Sequence, residues 1–371
     1  MYYRFISNML SLHIDALLHI GYYLVDYDKI RWSFACAELN KLKYKFRYCD
    51  EISVGKIIEL PYFDNFEFVN VSYGVTARPK FVKYICYTVN FGIPPNDVTH
   101  LKINGYPYTK YIKITIPSTV IHLTFGDSFK QTVRDCIPSS VTHLTFGDQF
   151  DCSIKNSIPS SVTHLKFGLC FNHPIKNRIP SSVTHLTFGY LFDQSIESIP
   201  SSVTHLTFPM IRSPIRNELP KSVTHLTINV EKIDIEECVS DSVTHLTFDD
   251  EFNESIGGHI PQTVTHLTFG HRYNQPNVYI PSSVTHLTFG NSFNQRITNI
   301  PASVQYLTFG YHFNRSIANL PTSITHLTFG HKFAQMINEI PSSVKEIVLH
   351  EEYKKYISEH LMSRINITRT K

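Results

Sequence analysis

Eleven histidines recur in register along this chain, at His100, His122, His143, His164, His185, His205, His225, His245, His266, His286 and His326, and Tyr306 takes the same place once. Successive members lie 20 to 22 residues apart. If each interval is one turn of a stacked array, neighbouring imidazoles lie about 5 Å apart, near enough for adjacent pairs to hold a metal ion. That chemistry needs companions. No carboxylate or thiolate column runs beside the histidines; the neighbouring column is threonine, with Lys102 and Lys166 in two turns. No nucleophile, base and orienting group form a recognisable set, and no P-loop, GxGxxG or GxSxG is present. The pattern points away from an enzyme, a cofactor or a metal centre. It points to a histidine ladder that serves as structure and contact surface.

The elements that position this ladder are read from the cleanest copy, I-P-S-S-V-T-H-L-T-F-G-N-S-F-N-Q-R-I-T-N-I, from Ile280 to Ile300. Leu287 and Phe289 alternate with His286, Thr288 and Gly290, the period of a half-buried strand. One strand per turn, always in the same sense, stacks as a parallel sheet with Leu and Phe inward and His and Thr outward. Gly290 has counterparts at Gly126, Gly147, Gly168, Gly189, Gly270, Gly310 and Gly330, with Asn229 and Asp249 in two turns. Shared tolerance of positive φ predicts a left-handed exit from the strand there. Pro209 breaks that column.

An aromatic follows three residues later (Phe129, Phe150, Phe171, Phe192, Phe252, Tyr273, Phe293, Phe313, Phe333; Arg212 and Lys232 are exceptions), predicting a stacked spine. The next column is Asn or Asp, whose side chains are suited to satisfying turn backbone. Ile297 and Ile300 close the core, and Pro301 is expected to hold the return leg extended. The interval leaves no room for a helix.

The chain has 371 residues, 42% hydrophobic and 13% aromatic, enough for a continuous core. Its net charge of +3 makes no case for nucleic acid. Early turns carry Lys102, Lys110, Lys113, Lys130, Arg134, Lys155 and Lys166. An acidic stretch (Glu231, Asp234, Glu236, Glu237, Asp241, Asp249, Asp250, Glu251, Glu254) lies later. Residues 209–254 depart most from the repeat and are a candidate binding site or a tolerated drift. Seven cysteines form no CxxC and share no column, which argues against disulfides and zinc and for a reducing, intracellular and cytoplasmic setting. No run of eighteen apolar residues suggests a membrane span.

Near the amino terminus, Leu10, Ile14, Leu17, Leu18 and Gly21 share a face at helical spacing, and a second short helix is expected after Asp26 or Asp28. Such helices suit a cap over the open end of an array. The order Leu12, Asp15, Leu17, Leu18, Ile20, Leu24, Asp28, Ile30, Cys36, Leu39, Asn40 also resembles an F-box. That resemblance implies docking on a Skp1-like adaptor of cullin-type ubiquitin ligases through Leu12, Leu17, Ile20, Leu24, Ile30 and Cys36.

The repeat itself resembles leucine-rich repeats. More closely, F-N-x-x-I-x-x-I-P followed by S-S-V-T-H-L-T-F-G is similar to the FNIP repeat, known mainly from slime moulds and giant viruses of amoebae. FNIP arrays preceded by an F-box are a recognised type, so the resemblance implies a substrate adaptor, in the host cytoplasm if viral.

The expected architecture is a mainly β, leucine-rich-repeat-like parallel solenoid of about 12 repeats. An F-box-like segment would occupy residues 1–48, degenerate capping turns 49–94, the repeats 95–350 and a carboxy-terminal cap 351–371. In that cap Tyr353, Ile357 and Leu361 suggest a short helix. An unidentified protein target would bind the face of His143, His164, His185, His205, His225, His245, His266, His286, Tyr306 and His326. A plain scaffold with capping helices is the alternative.

Overall fold

The computed structural model describes residues 14–89, 93–104, 115–211, 219–230, 235–256, 260–276, 278–337 and 340–370. The chain divides into two compact units, residues 1–147 and 148–371.

The first unit opens with helices α1 (Ile14–Tyr22), α2 (Asp26–Ser33) and α3 (Ala37–Asn40) and a 3-10 turn (Lys41–Tyr44). Parallel strands follow: β1 (Ile52–Ser53), β2 (Phe68–Val71), β3 (Tyr84–Val89), β4 (His100–Ile103), β5 (His122–Phe125) and β6 (His143–Thr145). A one-turn helix, α4 (Val54–Ile57), lies between β1 and β2.

Polar ties fasten the helices to the first turns. Lys29 Nζ donates to Asp26 Oδ1 at 2.8 Å and to the Arg47 carbonyl at 2.7 Å, and the Asp50 N–H donates to Asp26 Oδ2 at 2.7 Å. The buried charge of Asp26 is therefore paired on two sides, as a buried carboxylate requires. Trp32 stacks on Phe46 at 6.0 Å, and α1 approaches Phe46 so closely that only the bare Gly21 fits there.

In the second unit the rungs are β7 (His164–Lys166), β8 (His185–Thr187), β9 (His205–Ile211), β10 (His225–Val230), β11 (His245–Phe248), β12 (His266–Thr268), β13 (His286–Thr288), β14 (Tyr306–Thr308), β15 (His326–Thr328), β16 (Glu346–His350) and β17 (Asn366–Thr370). Each pairs in parallel with the next, with histidine opposite histidine from β7 to β13, as at His245↔His266 and His266↔His286, and His286 opposite Tyr306 beyond. Val284, Leu287 and Phe289 are 0, 1 and 2% exposed, so the alternation read from the sequence is the inside–outside alternation of the sheet. The two parallel ladders are of leucine-rich-repeat type. The return legs are turns and extended chain apart from a 3-10 turn at Ile235–Glu237; the described α-helix of this unit is α5 (Glu359–Arg364).

Four details set the turn. Pro281 opens a tight turn, its carbonyl accepting from the Val284 N–H at 3.1 Å, where an extended leg was expected. Ser283 Oγ then donates to the Val264 carbonyl of the preceding rung at 2.7 Å, a contact repeated at Ser202, Ser222, Ser303, Ser323 and Ser343. Phe289 and Phe293 stack at 3.9 Å inside one turn, and Phe293 meets Phe313 at 6.2 Å in the next, forming the expected spine. The Asn column works between turns: Asn294 N–H donates to Asn274 Oδ1 at 2.9 Å and Asn314 N–H to Asn294 Oδ1 at 3.0 Å.

The glycine column is explained differently from the expectation. Among the described residues φ is positive at Gly74, Asp135, Asn156 and Asn177, and at none of the column glycines. Glycine is needed because rung backbones nearly touch: a Cβ on Gly310 would lie 2.5 Å from the carbonyl carbon of Gly290. The left-handed residues sit instead in 21-residue repeats, where an extra residue enters the return leg. There Asn156 lies in a turn closed by Ser157 N–H to the Ile154 carbonyl at 3.1 Å.

Residues 209–211 and 229–230 extend β9 and β10 through a register shift between Ile228 and Val230. Met210, Val230, Ile235, Cys238 and Val239 are buried there, so aliphatic groups line the core where the aromatic spine lapses. Arg212, Glu231, Lys232 and Asp234 lie outside the described residues, as do Lys110 and Lys113. At the carboxy end Leu361 lies in α5. Tyr353 lies outside that helix and continues the aromatic column, 6.0 Å from Phe333, because β17 adds a further rung against β16.

Candidate functional site

In several rungs a short hydrogen-bond relay supports the ladder histidine. Thr285 Oγ1 lies 3.3 Å from the Thr265 carbonyl of the preceding rung and donates to it. The same Thr285 Oγ1 lies 2.9 Å from His286 Nδ1, a hydrogen bond whose direction follows the tautomer of the ring. The same pair of contacts occurs at Thr184/His185, Thr204/His205, Thr244/His245 and Thr265/His266. These contacts hold Nδ1 of each of these rings against its threonine. The threonine before ten of the eleven ladder histidines (Ile121 precedes His122) is what sequence reasoning undervalued; its recurrence in T-H-L was the available signal.

The rings lie flat on one another. Centroids are 4.0 Å apart from His205 to His225, His225 to His245, His245 to His266 and His266 to His286, with Tyr306 continuing the stack at 4.2 Å and His326 beyond it at 4.3 Å. His164 and His185 stack at 4.1 Å. In the first unit His100, His122 and His143 stack at 4.3 and 4.0 Å, and Tyr84 packs edge-on to His100.

Stacking hides the ring faces from water, so burial is the first cause that lowers the pKa of His205, His225, His245, His266 and His286; like-charged neighbours add to it. His205 falls to about 4. In the first unit burial also lowers His100, opposed by the carboxylate of Glu51. At neutral pH the rings from His205 to His286 are therefore uncharged, beside threonine hydroxyls, and farther along the Glu346 carboxylate lies 3.8 Å from His326 Nε2. Of the expected face, His143 lies on a strand of the first unit and the other nine residues on strands of the second; the histidines are half-buried and Tyr306 is exposed.

The residues expected to dock an adaptor separate. Leu12 lies outside the described residues. Leu17 is 6% exposed and belongs to the core, one helical turn from Gly21 on the face that meets Phe46; it cannot present itself to a partner. Ile20 is open, and Leu24, Ile30 and Cys36 are half-buried. Around them Tyr22, Tyr23, Val25, Tyr27 and Phe34 are exposed; of these, sequence reasoning had named only Phe34, on one side of the second helix.

A family model described as FNIP Repeat matches residues 129–170, 171–210, 234–272, 256–292, 273–312, 293–332 and 313–352, more than half of the chain. The chain belongs to the FNIP-repeat family. This FNIP-repeat protein is also similar to the crystal structure of CroV588, a circular LRR protein, at 32% identity and a TM-score of 0.54, over 82% of this chain and 53% of that one. It thus spans about half the length of that relative. YopM from Yersinia enterocolitica WA-314 aligns at 12% identity and a TM-score of 0.31, over 84% of this chain and 65% of that one. No curated protein matches the FNIP-repeat chain. Among its described residues no helix is long and apolar enough to cross a membrane.

Proposed function

We propose that this FNIP-repeat protein is a substrate-recognition adaptor of a cullin-type ubiquitin ligase. Its helical segment docks a Skp1-like protein, and the His/Thr sheet face holds the protein to be modified. The observation that carries the reading is the exposure of Ile20, Tyr22, Tyr23, Tyr27 and Phe34 on helices anchored by Asp26 and Lys29. Soluble domains rarely leave so many large apolar groups together in water unless a partner covers them. A cap needs only its inner face, and here the outer face is apolar as well.

Capture of a purified Skp1-like adaptor tests the reading. The unmodified chain is expected to retain the adaptor, and Ile20→Asp with Leu24→Asp to lose it while the repeats still melt cooperatively. An unmodified chain that captures nothing leaves only the capping role.

A further inference from the structure

His331, His350 and Glu352 converge outside the ladder, near the end of the second unit. One ligand atom from each lies within 4.8 Å of the others. Their contacts close a circuit. The Glu352 N–H donates to His350 Nδ1 at 3.2 Å, which leaves the proton of that ring on Nε2. His350 Nε2 lies 3.2 Å from His331 Nδ1, and His331 Nε2 lies 3.2 Å from Glu352 Oε2. Two imidazoles and a carboxylate are the donor set that borderline divalent ions favour.

The repeat pattern marks the same place independently. Position 350 is the column that holds Gly290, Gly310 and Gly330, where rung backbones nearly touch. Here the chain places a histidine, and β16 runs on past its pairing with β15 to reach it. Breaking the closest-packed column is costly, and such breaks concentrate where a chain has a use for them. The His331 ring is steadied by Tyr311, stacked on it at 5.1 Å, and its side chain is 25% exposed, while that of Glu352 is 62% exposed and free to turn.

We propose that His331, His350 and Glu352 bind one divalent transition-metal ion of the zinc class. His331 ligates through Nδ1, whose lone pair already faces His350. His350 ligates through Nε2 after its proton moves to Nδ1, giving up the contact to the Glu352 N–H. The two nitrogens, at 3.2 Å, are already close to the separation of about 3.3 Å that two ligands on one tetrahedral zinc adopt. Glu352 swings from His331 Nε2 to the ion and supplies the negative charge. The fourth position faces solvent and takes water. Closing this site ties together the turns that follow the strands of two consecutive rungs.

The probe is Zn2+ itself, titrated by calorimetry into the full chain carrying no affinity tag. One tight site per chain is expected, on the order of micromolar or better, with His331→Asn, His350→Asn and Glu352→Gln each weakening it at least about tenfold. Cobalt substitution is expected to give the visible bands of a four-coordinate ion. The ladder is the rival source of zinc binding, so a His266→Gln, His286→Gln chain is titrated in parallel and is expected to keep the tight site. Circular dichroism of each variant without metal confirms that it is folded. Absence of binding, or a tight site that survives in the folded His331→Asn and Glu352→Gln chains or disappears in the ladder variant, overturns the assignment.

Discussion

The lowered histidine pKa values make stability a function of pH, and His205 allows the size to be worked out. Its folded value of about 4 lies below the ordinary 6.5, so between those limits the unfolded chain binds more protons than the folded one. Stability is therefore full above pH 6.5 and declines as pH falls toward 4. At pH 5 the difference in proton binding corresponds to about 2 kcal/mol for this one ring. The ring is partly open to solvent, so screening reduces the figure to about 1 kcal/mol.

Urea melts at pH 7.5 and pH 5.0 measure it, in a range where carboxylates, with ordinary values near 4, contribute little. The unmodified chain is expected to lose about 1 kcal/mol more than His205→Gln over that interval. Removing this ring also uncovers one face of His225, whose pKa is lowered first by burial and is then expected to rise. Equal losses in the two proteins, or a His205 ring that titrates at or above 6.5 by NMR, would refute the stacked and desolvated ladder.

Three further outcomes follow from the core. Phe293→Ala, at the spine contact of 3.9 Å with Phe289, is expected to cost about 3–5 kcal/mol in denaturant melts, whereas Thr288→Ala on the outer face costs under about 1 kcal/mol; equal small losses would mean inside and outside are reversed. Tyr273 carries a buried hydroxyl with no hydrogen-bond partner in a column of phenylalanines, so Tyr273→Phe is expected to raise stability by about 1–2 kcal/mol, seen as a higher urea midpoint. Gly310→Ala is expected to destabilise by more than about 1 kcal/mol although its φ is ordinary, and Gly310→Asn by no less. Tolerance of Asn but not Ala would restore the left-handed explanation.

The period of the histidines, the inward Leu and Phe and the Asn ladder were legible because each is a one-dimensional pattern that a stacked array turns directly into contacts. The reason for glycine was misread because one residue type answers two needs. Tolerance of positive φ and lack of a Cβ look alike in sequence, and only the approach of Gly310 to Gly290 separates them. The true left-handed sites, Asn156 and Asn177, were marked by nothing except the extra residue in their repeats. Leu17 belongs to the right helix but faces inward, since Phe46, nearly thirty residues on, decides which side of α1 is covered. The cluster at His331, His350 and Glu352 shares no column and could not be seen before the chain was stacked.

The serine, threonine and asparagine contacts of each turn all run to the turn just before it, with the same atoms in the same columns. A cut between His286 and Leu287 and another between Tyr306 and Leu307 remove twenty residues and rejoin T-H to L-T-F. Every interface bond then finds an equivalent partner one rung away. Such a chain is modular at the level of its coding sequence. Unequal recombination between near-identical repeats would lengthen or shorten it by whole turns, so the length of its His/Thr face is open to inheritance as a quantity, without a new fold having to be found.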